Sequence, residues 1–326
     1  MSYKERGIQN KVIEIPSFVT DIYISNKLGP FQNVDHGLKV IYKHNNIKFT
    51  DCIAGARSMD LMFAGFDGDY LDLSEFDTSG AVSMHGMFSN CKSLKSIDLS
   101  NFDTSKVKDM SEMFKDSNED YRVVTIPSFV TDITYCDDDD YITKSPFLGT
   151  KQNLKVIYRG NKIKSMKGMF GGYYGSKLDL SDFNTSQVTD MNKMFWGCKE
   201  LNLSNFDTSK VTDMHSMFSY CKNLEELDLS SFNTSQVTNM NKMFHCFWKS
   251  EKLDLSNFDT SKVKNMSFMF CDCESLEKVD LSSFNTSKVK DMDNMFTSCK
   301  NLEKLKSLNL SNFNTSKIKD ADYLFI

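Results

Sequence analysis

The residues of this sequence that could do chemistry recur in columns. Asp72, Asp98, Asp179, Asn202, Asp228, Asp254, Asp280 and Asn309 each stand second in a hydrophobic-[Asp/Asn]-Leu-Ser motif. If the motif is a strand paired in parallel with its copies, these side chains line one exposed face about 4.8 Å apart. Like charges that close repel unless something compensates them. Lys177, Lys252 and Lys278, each one residue ahead of its motif, are placed to pair diagonally with the column. Two outcomes stay open. The column is a solvated, partly ion-paired ladder that keeps the face soluble, or it is an acidic strip that takes cations or basic ligands.

Other reactive residues find simpler explanations. Cys91, Cys198, Cys221, Cys273 and Cys299 all follow the Phe of a Met-Phe pair by three residues. A singly spaced, recurring Cys reads as a small apolar member of a stacked core. Nine cysteines is also an odd number, so at least one stays unpaired within the chain. Cys271 and Cys273 form a Cys-x-Cys without a second pair at zinc-finger spacing, which predicts no metal site. The aspartates of CDDDDY, 136–141, repel one another and belong in a solvated loop. The Asn-Thr-Ser triplets at Asn184, Asn233, Asn285 and Asn314 fit the glycosylation pattern, yet they alternate with Asp-Thr-Ser at one column, where either residue serves a turn or cap. The five histidines are scattered, and His85 and His215 share a position expected to face solvent on a helix. Without a nucleophile paired to a base, a phosphate loop or a zinc-protease motif, the expectation is a protein that is no enzyme and needs no cofactor.

The elements that carry these columns repeat. The motif begins at Leu71, Ile97, Leu178, Leu201, Leu227, Leu253, Val279 and Leu308, most often 26 residues apart. Between the second and third copies lies an insertion that copies the N-terminus: VIEIPSFVTDI at 12–22 returns as VVTIPSFVTDI at 123–133, and GLKVIYKHNNIK at 37–48 as NLKVIYRGNKIK at 153–164. The organisation is therefore a divergent unit at 1–70, two repeats at 71–120, a second divergent unit at 121–177 and six repeats at 178–326. With no Gly/Ser-rich or Pro-rich linker between them, one continuous solenoid is expected.

Within a repeat, Ile97 and Leu99 alternate with Asp98 and Ser100, the period of a half-buried strand. Phe102 anchors a turn, and Asp103, Thr104 and Ser105 could cap a helix. Val107, Met110, Met113, Phe114 and Ser117 then follow at offsets of 3, 3, 1 and 3, which share one helical face. The spacing predicts strand, turn, short helix, turn. Such units cannot bury their apolar faces alone and must stack. The fold class expected is α/β: a leucine-rich-repeat-like solenoid with a parallel sheet on one face and short helices on the other.

Bulk properties agree. The 326 residues hold 26 Phe and 19 Met against 4 Pro, and the net charge is −5. Lys and Asp alternate rather than cluster, so neither nucleic acid nor an anionic membrane is an expected partner. No stretch approaches the ~20 apolar residues of a membrane span. The N-terminus MSYKERGIQNKVIEIPSF has no apolar signal segment.

The string LDLSNFDTSKVTDMxxMFxxC, followed by another Leu-Asp-Leu-Ser, resembles the repeat of BspA-like leucine-rich-repeat surface proteins, with the related mycoplasma-type repeat domain of unknown function. The IPSFVTDI…LKVIY units are similar to the other leucine-rich module found beside it. The resemblance spans nearly all of 12–326. It implies a non-enzymatic, protein-binding or adhesive repeat protein at the cell surface or secreted. Its partners would be other proteins, host or neighbouring-cell surface proteins among them. An intracellular interaction scaffold and a spacer array without a ligand are the alternatives, the first suggested by the absent signal. The last repeat ends at DYLFI with Ala321 in place of Met and no polar cap, as a fragment or an associating end would. Recognition is expected in the long divergent stretches Tyr23–Gly37 and Tyr135–Asn153.

Overall fold

The computed structural model describes residues 11–14, 21–22, 31, 37–41, 48–49, 58–115, 122–126, 145–151, 153–160, 163–299, 313–314 and 316. Asn309, the 136–141 aspartate run, most of both divergent stretches and the chain end from 317 lie outside them.

Among the described residues twelve short strands run in chain order: β1 Lys11–Glu14, β2 Asp21–Ile22, β3 Leu38–Ile41, β4 Lys48–Phe49, β5 Leu71–Asp72, β6 Ser96–Asp98, β7 Arg122–Thr125, β8 Leu154–Ile157, β9 Leu178–Asp179, β10 Leu201–Asn202, β11 Lys252–Leu253 and β12 Lys278–Val279. Every pairing is parallel. The sheets are β1-β3-β5, β6-β7-β8-β9-β10, β11-β12 and β2-β4. Ile97 lies beside Val124 and Val124 beside Val156, so the insertion of the sequence repeat supplies two further rungs of the same ladder. Along β8 burial alternates, with Leu154 and Val156 inside, as a strand covered on one face requires.

The expected helices do not form: among the described residues there is none. The segment after each strand is a chain of tight turns hydrogen-bonded to its neighbours. Met84, Gly86, Phe88 and Asn90 donate their backbone N–H groups to the carbonyls of Asp109, Ser111, Met113 and Lys115 at 2.8–2.9 Å. The intervening Met87 and Ser89 donate to Met84 and Gly86, three residues back. Met214, Ser216, Phe218 and Tyr220 repeat the pattern onto Asn239, Asn241, Met243 and His245. A helix would direct each N–H to the fourth residue back in its own segment. Here alternate amides leave the segment for the next copy.

The geometry that allows this is a left-handed residue at two recurring places along the rungs. The first holds Leu61, Gly86, Glu112, Gly168, Lys193, Ser216, Lys242, Phe268 and Asn294. The second holds Gly65, Asn90, Gly149, Gly172, Gly197, Tyr220, Cys246, Asp272 and Ser298. Each is third in its turn, where a type II turn needs positive φ. Residues with a Cβ adopt that conformation at a cost of about 1–2 kcal/mol, offset here by bonds to the adjacent rung.

Apolar residues at offsets 3, 3, 1 and 3 therefore still point inward, but into a stack. Phe31, Phe63, Phe88, Phe114, Phe147, Phe170, Phe195, Phe218, Phe244, Phe270 and Phe296 form one column, each ring 5.0–6.0 Å from the next and 4–25° from parallel. Offset stacks of this kind add about 0.5–1.5 kcal/mol per pair beyond burial. Phe147 belongs to no Met-x-x-Met-Phe motif, yet Ser145 and Pro146 accept the rung bonds of Glu112 and Phe114. Its Ser-Pro-Phe-Leu-Gly segment holds the place of a rung between Phe114 and Phe170.

Buried threonines tie the rungs on the other side. The Thr208 hydroxyl accepts from the Asn233 N–H (2.8 Å) and donates to the Asn233 carbonyl (3.0 Å). Thr78 with Asp103, Thr260 with Asn285 and Thr286 with Asn314 do the same. The sequence had suggested only a cap for these residues.

The recurring cysteines are buried as expected and share one bond to an earlier rung. Cys91, Cys198, Cys221, Cys273 and Cys299 donate their thiols to the carbonyls of Phe63, Phe170, Phe195, Phe244 and Phe270 at 3.0–3.4 Å. All seven described cysteines are free thiols.

Candidate binding face

The acidic column lies on the exposed strand face, and its members share a second role. Oδ1 of Asp72, Asp98, Asp179, Asp228, Asp254 and Asp280 accepts the N–H of the Ser two residues on, at 2.9–3.0 Å. Asn202 does the same for Ser204 at 3.3 Å. Each of these motif copies thus ends in an Asx turn, which needs a side-chain oxygen but no charge.

These bonds compensate the crowding of charge. The Ser230 hydroxyl and N–H hold the Asp228 carboxyl below its ordinary value, and Ser256 and Ser282 do so for Asp254 and Asp280. At Asp179 burial pulls upward, but Ser181 and Lys155 outweigh it. Of the lysines the sequence pointed to, Lys177 helps to lower the Asp179 carboxyl, but the close ion pairs are made by others. No ion pair joins Lys177, Lys252 or Lys278 to it among the described residues. Instead Lys39 of β3 lies 3.6 Å from Asp72 and 2.8 Å from Glu75, and Lys155 of β8 lies 3.8 Å from Asp179 and 2.6 Å from Asp182. Each divergent unit brings one lysine to the rung beside it, and the later rungs keep their carboxylates uncovered.

The ladder is interrupted once within that uncovered stretch. Leu227–Leu229 carries the motif but forms no strand between β10 and β11. A groove opens on the face there, lined by Glu225, Glu226, Asp228, Glu251 and Asp254, with Lys249 and Lys252. Five carboxylates against two ammonium groups make it negative, and Lys249 is engaged with Glu225 at 3.5 Å.

Three other candidates resolve into structure. Asn184, Asn233, Asn285 and Asn314 each use Oδ1 to accept the N–H of the second residue on, so the Asn-Thr-Ser triplets are turns. His85 and His215 do not face solvent from a helix; they are half-buried on the turn ladder. Burial lowers the pKa of His215. His85 Nδ1 lies 2.7 Å from Ser111 Oγ, which lies 2.6 Å from Asp109 Oδ1. In a hydrolytic triad the imidazole stands between serine and carboxylate; here the serine stands between them.

No curated protein and no solved structure shows significant similarity to the chain. Residues 43–127, 164–249 and 245–326, together well over half of the sequence, each match one family, described as Mycoplasma protein of unknown function, DUF285. The chain is a member of that family, and its repeated parallel rungs are what the matched segments build.

Proposed function

We propose that the chain is a non-enzymatic protein-binding repeat of the BspA-like leucine-rich type, displayed at a cell surface and serving adhesion. The negative groove at the interrupted rung Leu227–Leu229 carries this reading. It is a break in the exposed face, on a scaffold tied rung to rung, and such irregularities on rigid supports are where recognition concentrates. Its charge selects a basic segment of a partner protein, with steering that weakens as salt rises.

The test uses a variant that removes charge and keeps the fold. Glu226→Gln, Asp228→Asn and Asp254→Asn together preserve the Asx turns, as Asn202 does naturally. The purified chain, immobilised, is presented with proteins graded in charge. Saturable, salt-sensitive binding of basic proteins that weakens in the triple variant supports the reading. Binding unchanged in the variant overturns the groove, and binding to none of them favours a spacer array. Fractionation of source cells tests the surface location, and recovery in the soluble interior would favour the scaffold alternative.

A further inference from the structure

His245 and Cys246 occupy two adjacent positions of one rung, and Cys271 and Asp272 the same two positions of the next. Flanking rungs place Ser219 and Tyr220, and Thr297 and Ser298, there instead. The Cys246 N–H donates to the Cys271 carbonyl at 2.9 Å, which fixes the rungs against each other. Cys246 and Asp272 share the left-handed conformation, with φ of 57° and 58°, so their side chains leave the backbone in the same direction.

The donor atoms converge. Cys246 Sγ lies 3.5 Å from His245 Nε2 and 3.9 Å from Asp272 Oδ2. Nε2 lies 3.5 Å from the same oxygen, and Cys271 Sγ is also 3.5 Å from it. Zinc holds nitrogen and oxygen at about 2.0 Å and sulfur at about 2.3 Å, so the ligands of a tetrahedral ion stand about 3.3–3.8 Å apart. The observed separations fall at or beside that range. A charge-assisted His–Asp hydrogen bond would be about 2.7–2.9 Å, shorter than the contact seen.

The surroundings suit a ligated histidine. Ser219 Oγ lies 3.4 Å from His245 Nδ1, the ring nitrogen turned away from the cluster. The Tyr220 ring meets the imidazole edge-on at 5.2 Å. The indole Nε1–H of Trp248, in the same rung, is buried without a hydrogen-bond partner. Cys246 and Cys271 are buried, while the Asp272 side chain is 38% exposed and leaves a way in. Cys273, the other half of the Cys-x-Cys, points into the core column instead.

We infer that His245 Nε2, Cys246 Sγ and Asp272 Oδ2, with Cys271 Sγ as the nearest fourth donor, form a binding site for a divalent transition ion of zinc's class. Loading releases the thiol protons to solvent. The site staples two rungs together and is independent of the binding groove.

The full chain, reduced and freed of metal, is titrated with Co²⁺ and then Zn²⁺. One Co²⁺ per chain is expected, with a thiolate charge-transfer band in the near ultraviolet, tetrahedral ligand-field bands, displacement by Zn²⁺ and a raised melting temperature. Cys246→Ser and His245→Ala should abolish the band, and Ser219→Ala should weaken binding about 10-fold. Asp272→Asn, at an exposed side chain, covers the case in which the first two fail to fold. Cys221→Ser, in the buried column, should keep the site. Absence of stoichiometric binding, a spectrum without thiolate character, bands that survive in folded Cys246→Ser or His245→Ala, or an affinity unchanged in Asp272→Asn overturns the inference.

Discussion

Ser216 offers a comparison in which a helix and a turn ladder predict opposite signs. Its φ is 53°, and Gly86 and Gly168 hold the same place in other rungs. The perturbation is a pair of substitutions, Ser216→Gly and Ser216→Ala. Both delete the hydroxyl that lies 3.3 Å from His215 Nε2, so that contact drops out of the difference. Alanine keeps the left-handed penalty of about 1–2 kcal/mol. Glycine escapes it but gives up about 0.5–1 kcal/mol of extra backbone freedom on folding. The glycine variant should therefore be the more stable of the two by about 0.5–1 kcal/mol. On a helix the order reverses, with glycine about 1 kcal/mol worse. Urea denaturation of both variants, compared at equal slope, reads the difference. An alanine variant as stable as the glycine variant, or more so, would refute the turn ladder at this rung.

Three further outcomes follow from the geometry. Thr260→Val keeps the shape but leaves the Asn285 N–H and carbonyl without their partner, for a loss of about 2–4 kcal/mol; amide exchange at Asn285 should accelerate, and a loss below about 0.5 kcal/mol would show the clamp to be idle. Asp228, Asp254 and Asp280 have pKa values below the ordinary 3.8, so the stability they add is complete above the unfolded-state value and is lost as pH falls through the folded-state values. Acid unfolding should therefore be shallower in the triple Asn variant, and identical curves would contradict the assignment. Burial pushes the Cys221 thiol to about 12 and Cys198 well above its ordinary value, so alkylation at pH 8 should proceed at the rate of unfolding, and rapid labelling of the native protein would exclude the buried column.

The strand half of each rung could be read from Leu-Asp-Leu-Ser because period-2 burial has few competing explanations. Even there Leu227–Leu229 departs, and its motif gives no warning. The helix half failed for a definite reason. Apolar offsets of 3, 3, 1 and 3 fit a helical stripe, and they also fit overlapping turns that present every Met and Phe to one side. Lys193, Lys242 and Leu61 occupy left-handed positions although they are good helix formers. The warning lay in Gly86, Gly168, Gly172 and Gly197, placed inside the supposed helices, and in threonines too regular for a cap. Phe147 was hidden because its rung shares only a ring with the motif. The His245–Asp272 cluster escaped notice because its donors come from two rungs, so no compact spacing marks it.

The phenylalanine column has an evolutionary corollary. Along the column each ring stacks on the ring before and the ring after it, and the backbone bonds follow the same nearest-neighbour rule. Recombination between near-identical segments can therefore delete or duplicate whole units, shifting the protein's reach in increments of about 4.8 Å. Every new junction would be one the chain already contains, which makes length the cheapest trait for such a gene to vary.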